Sequence, residues 1–130
     1  MTNKTLETNS TNDVITQLRD QIIESIYDRK GYAVTLLDLS EIEGAAASEF
    51  IICQGNSPTQ VSAIADNIRE ELLEKLGRKP FNYDGYRNSE WIVIDYGDIL
   101  VHVFRKDVRE HYNLEDLWSD AVVTTLPDRD

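Results

Sequence analysis

The sequence predicts an α/β fold: a single domain with a mixed β-sheet covered by helices. Three observations carry that expectation. Two long stretches, Asp13–Lys30 and Pro58–Leu76, repeat apolar residues at helical spacing. Four short runs, Ala33–Leu39, Glu49–Gln54, Trp91–Ile94 and Ile99–Phe104, are dense in β-branched and aromatic residues, as strands are. The order α-β-β-α-β-β-α-α sets a helical crossover between two hairpins. Only a crossover favours parallel neighbours, so the sheet must be mixed.

Residues 1–11 are polar and are expected to form a disordered tail ahead of a domain at 12–121. In the first helix Val14, Leu18, Ile22 and Ile26 recur every four residues, and Arg29, Lys30 and Gly31 supply a helix end. The segment SEIEGAAAS, between the first two strands, is small and polar and predicts an irregular connection. Ser57-Pro58-Thr59-Gln60 then places a capping Ser, a Pro at the first helical position and a Gln at the third, the pattern of a capping box. That helix stops at Gly77. A loop follows to Glu90, with a short edge strand around Phe81–Tyr83 and two tyrosines, Tyr83 and Tyr86, suited to packing on the sheet.

The stretch WIVIDYGDILVHVF reads as a β-hairpin turning at Gly97-Asp98, with Tyr96 opposite Ile99. In that register Ile92, Ile94, Val101 and Val103 share one face, because strand side chains alternate. Trp91, Val93, Asp95, Leu100, His102 and Phe104 share the other. The first set is core; the second mixes aromatics with an acid and an imidazole. Beyond the hairpin, Asp107–His111 predicts a short helix and Asn113 caps a second one striped by Leu114, Leu117 and Trp118. Residues 122–130 are expected to be a frayed C-terminal tail.

Bulk composition narrows the function. The 130 residues include thirteen Lys+Arg against twenty-four Asp+Glu, a net charge of −11. Nucleic-acid binding draws on Lys/Arg contacts to phosphates, so this balance disfavours it and suits a basic protein partner instead. Acidity also serves solubility alone. The single cysteine, Cys53, excludes an internal disulfide and a cysteine-rich zinc site, and fits a reducing cytosol. No run approaches the length of a membrane span.

Enzyme chemistry finds little support. Cys53, His102 and Asp95 would make a triad, yet the thiol lies mid-strand in FIICQ, where an inert buried thiol is expected. His102 and His111 stand nine apart without metal-ligand spacing. Gly55-Asn56-Ser57 ahead of a helix resembles a phosphate-binding turn and the opening of a nucleotidyltransferase site. Such enzymes also need two carboxylates one residue apart on the next strand to hold metal ions, and no strand here has them. What remains is a surface. Trp91, Tyr96, Tyr112 and Trp118 share a region with Asp95, Asp98, Asp107, Glu110, Glu115, Asp116 and Asp120. Aromatic anchors rimmed by acids suit an interface for a basic protein, and the same aromatics suit a core equally well.

WIVIDYGDILVHVF followed by REHYNLEDLW resembles the signature of the ribosomal silencing factor family (RsfS, also called iojap), and FIICQGNSPTQVSAIADNI matches its other well-marked block. The similarity runs from about Val14 to Asp120. One departure is Asp84-Gly85 where the family usually has Glu-Gly, which keeps the charge and shortens its reach. The resemblance implies a cytoplasmic, non-enzymatic translation factor without metal or cofactor. Its fold would be distantly like that of nucleotidyltransferases without their catalytic acids. Such proteins bind the large ribosomal subunit through the basic ribosomal protein uL-fourteen and block joining of the subunits when nutrients are short. They also occur as homodimers. Residues and resemblance together nominate Trp91, Asp95, Asp98, His102, Tyr112, Glu115 and Trp118 as partner-binding. The alternatives are a nucleotidyltransferase-like enzyme using the Gly55–Ser57 turn and a factor for large-subunit assembly.

Overall fold

A computed structural model describes the backbone of residues 3–129. Helix α1 (Asn3–Asp28) leads into β1 (Tyr32–Asp38) and β2 (Glu49–Gly55), followed by α2 (Pro58–Leu76). Then come β3 (Asn82–Asp84), β4 (Trp91–Asp95), β5 (Ile99–Arg105), α3 (Lys106–Tyr112), α4 (Leu114–Leu117) and β6 (Val122–Thr125). The strands form one six-stranded sheet in the order β3-β4-β5-β2-β1-β6. The pair β2–β5 is parallel and every other pair is antiparallel, so the sheet is mixed as expected. The parallel pair is the one whose connection passes through α2. No helix among the described residues is long and apolar enough to cross a membrane.

Alternation along the strands divides the core in two. Val34, Ile51, Cys53, Ile92, Ile94, Val101 and Val103 turn to one face and are closed over by α1 and α2 through Leu18, Ile22, Ile26, Val61, Ile64, Ile68 and Leu72. Leu37, Phe50, Ile52 and Phe104 turn to the other, where α3 and α4 bring Val108, Leu114 and Trp118. Strand β2 is buried along its whole length between the layers.

Local chemistry explains the boundaries. Ser57 Oγ accepts from Gln60 N at 3.1 Å, Gln60 Oε1 accepts from Asn56 N at 2.7 Å, and Pro58 occupies the first turn. Ser57 therefore caps the helix as expected, while Gln60 reaches back one residue beyond the cap, to Asn56 rather than to Ser57 N. Helix α2 ends at Gly77 with φ 63°, and Arg78 N donates to Leu72 O at 3.0 Å, which satisfies carbonyls the helix would leave open. The β4–β5 hairpin has the expected register, Trp91 opposite Phe104 and Asp95 opposite Leu100. Gly97 takes φ 89° in its turn, and the Asp95 carboxylate accepts from Gly97 N at 2.7 Å.

Four expectations are corrected. Helix α1 begins at Asn3, ten residues before the expected start at Asp13; Met1 and Thr2 lie outside the described residues. The expected C-terminal tail contains β6, which pairs with β1, Val122 opposite Asp38 and Thr125 opposite Thr35. Its signal is weak because all four residues are exposed and no buried face imposes alternation. The short edge strand is Asn82–Asp84. Tyr96 is core rather than surface, at 1% exposure.

Candidate protein-interaction face

Trp91 is the first residue of β4, opposite Phe104 of β5, so the two rings share the α3/α4 side of the sheet. They stack at 4.9 Å between centroids and 22° between planes. Tyr112, at the end of α3, also packs against the indole, 4.8 Å between centroids and tilted by 46°. Trp118, just past α4, meets Phe50 edge-on at 5.8 Å, and Phe50 meets the His102 imidazole at 4.6 Å. These contacts join Trp91, Tyr112, Trp118 and His102 into one aromatic layer. Its outer member Tyr112 is half-exposed, and Leu117, the residue before Trp118, is 72% exposed.

His102 belongs to the floor of the layer. It is 4% exposed, and its Nδ1 accepts from Trp91 Nε1–H at 3.0 Å. An accepting Nδ1 places the proton of the neutral ring on Nε2, which is buried without a partner. Burial disfavours the imidazolium and pulls the pKa down to about 4. His102 therefore supports the Trp91 indole from a buried position.

The nominated acids divide. Glu115 does not rim the face freely. Its Oε2 accepts from Arg109 Nη2 at 2.8 Å and Nε at 3.2 Å. Asp95 and Asp98 lie at the turn end of the hairpin, and the four-residue step from Trp91 to Asp95 alone spans roughly 13 Å. Asp95 is spent on the turn, while Asp98 lines a groove with Arg19, Asp38 and Glu49. The hairpin face is shared as expected, but a strand is long enough to separate its two ends. Nearer Trp91, Glu90 and Asp107 both bind Arg105, the latter through two hydrogen bonds at 2.6 and 3.0 Å. Glu110, Asp116 and Asp120 are exposed on or beside α3 and α4.

Arg109 is the residue that sequence reasoning missed. It is 8% exposed and uses every donor of its guanidinium. Nη1 donates to Ala33 O at 2.6 Å and Gln54 Oε1 at 3.1 Å, Nη2 to Thr35 Oγ1 at 3.1 Å and to Glu115, and Nε to Glu115. Three of its four acceptors lie on β1 and β2, more than fifty residues upstream, so no local spacing announces them.

The enzyme candidates named from the sequence have structural roles. Cys53 is fully buried, and desolvation pushes its thiol up to about 12. The Gly55–Ser57 turn is filled from within: the Gln60 side chain takes Asn56 N–H, and a Cβ on Gly55 would sit 3.1 Å from it. The Gln60 amide also donates to Lys30 O at 3.1 Å, so it is held there. The cavity beside Trp91 and Tyr112 is about 170 Å³, below the roughly 300–1,000 Å³ of small-molecule sites, whereas the groove lined by Arg19, Asp38, Glu49 and Asp98 is about 580 Å³. Among the described residues no cluster of three or more His, Cys, Asp or Glu is placed to hold a metal ion.

Comparison with known proteins agrees with the residue-level resemblance. A family model described as "Ribosomal silencing factor during starvation" matches residues 12–130. The ribosomal silencing factor RsfS of Halalkalibacterium halodurans is 39% identical over 110 residues, covering 85% of this chain and 92% of that protein. The Bacillus subtilis RsfS is 40% identical over 99 residues, covering 76% and 82% respectively. A crystal structure of a Chromobacterium violaceum protein superposes with a TM-score of 0.75 at 31% identity, over 81% of this chain and 86% of that one. The chain belongs to the ribosomal silencing factor family.

Proposed function

We propose that this protein is a non-enzymatic silencer that binds the large ribosomal subunit and blocks its joining with the small one. In this reading the contact is the basic ribosomal protein uL-fourteen, the docking surface is the aromatic layer of Trp91, Tyr112 and Trp118, and silencing operates in the cytoplasm when nutrients are short. The carrying observation is the layer itself. It exposes Tyr112 and Leu117 beside exposed acids on α3 and α4, in a chain of net charge −11 that belongs to this family. Aromatic anchors supply residence time by burial, and the acids speed encounter with a basic surface. The homodimer implied by the resemblance belongs to the same proposal.

Two variants test the face. Trp91 stacks on Phe104 and Tyr112, so Trp91→Ala is expected to lower both stability and affinity. Leu117→Ser separates the two effects. At 72% exposure its substitution should leave the melting temperature nearly unchanged, while affinity for uL-fourteen falls by about 1–2 kcal/mol. Thermal unfolding and binding to purified uL-fourteen are measured side by side. Wild-type binding by both folded variants would refute the face.

A further inference from the structure

The geometry points to Arg109 as the positioning residue of the partner face, the group that holds α3 and α4 where Tyr112 and Trp118 can be presented together. This inference rests on the face proposed above.

The two helices have little stiffness of their own. They are seven and four residues long, well short of the roughly 12–15 residues at which an isolated helix becomes even marginal. Neither Arg105 nor Asn113 makes a side-chain cap bond, and Asn113 joins the helices at φ 49°. Their place is therefore set by tertiary contacts. The apolar ones, Val108 and Leu114, are non-directional and permit sliding. Arg109 is directional. From α3 it reaches two residues of β1 and one of β2, and it grips α4 through Glu115. With all donors engaged, a displacement of α3 or α4 breaks hydrogen bonds to a buried cation. A buried ion pair is seldom more stabilising than apolar packing of the same volume. Position is thus the better account of why a charge stands here. Tyr112 lies one helical turn after Arg109 and Trp118 three residues after Glu115, so both inherit the placement.

The test uses Arg109→Lys in the full-length protein, since an ammonium keeps the charge but cannot span four acceptors in a fork. Three readouts are taken: the indole N–H signals of Trp91 and Trp118 by NMR, affinity for purified large subunits, and coupling to Trp118→Ala. The Trp91 indole packs against Tyr112 at 4.8 Å and so reports on α3, while the Gly97 N–H, held by Asp95 in the hairpin turn, serves as the internal reference. The expected result is an unmoved Gly97 signal, shifted or broadened Trp118 and Trp91 signals and an affinity reduced at least about tenfold. Adding Arg109→Lys to Trp118→Ala should then reduce affinity less than about twofold further, since both act through one surface. A Trp118 signal at its wild-type position overturns the proposal, as does full additivity. A displaced Trp118 with wild-type affinity also overturns it, and Leu117→Ser then tells whether the face itself was misassigned. Should Arg109→Lys fail to fold, Glu115→Gln, which keeps the shape and an acceptor, is judged by the same outcomes.

Discussion

Burial of His102 ties stability to pH through a single group. Its folded-state pKa is lowered to about 4, against 6.5 for the unperturbed ring, so at neutral pH both folded and unfolded chains hold it uncharged. As pH falls below 6.5 the unfolded chain takes a proton that the folded chain refuses, and stability drops until about pH 4. The slope is about 1.4 kcal/mol per pH unit in that window. Comparing wild type with His102→Gln between pH 7 and pH 5.5 isolates the effect from carboxylates, which titrate lower; the variant should lose visibly less. Gly85 offers a second single-residue prediction. Its φ is 105°, and a Cβ there would lie 2.1 Å from Trp91 O. Gly85→Ala must therefore move the first residue of β4, and we expect a loss of several kcal/mol in denaturant unfolding. Ser57→Ala, by contrast, removes one cap bond to α2 and should cost about 0.5–2 kcal/mol.

Secondary elements were legible where a local rule sufficed. The β4–β5 register follows from a Gly turn and two alternating runs. The limits of α2 follow from Ser57, Pro58 and Gly77, each acting on its nearest neighbours. Strand β6 was not legible, although Val122–Thr125 is wholly β-branched, because its partner β1 lies more than eighty residues upstream and neither of its faces is buried. The candidate site divides the same way. Hairpin alternation put Trp91, His102 and Phe104 on one face, but the fork of Arg109 and the capture of Glu115 depend on β1, β2 and α4 meeting. The same feature gives an element-level prediction. Truncation after Ala121 removes β6 and opens the edge of β1, so the truncated protein should melt lower and self-associate more, as light scattering during a thermal ramp would show.

At the scale of the molecule, charge and shape are separable contributions. Exposed acids act over about 10 Å at 0.1 M salt, so they govern the approach to a basic surface and fade as salt rises. Asp116→Lys, on α4 beside the aromatic layer, should slow association at low salt and matter little at high salt. Asp98→Lys, at the other end of the hairpin, should do much less. The proposed silencing requires more than binding: the occupied surface must be one that the small subunit needs. Sedimentation of ribosomes with the added protein tests this most directly. The account predicts that the protein travels with free large subunits, is absent from assembled ribosomes, and reduces their formation when subunits are mixed. Equal occupancy of free large subunits and assembled ribosomes would contradict it.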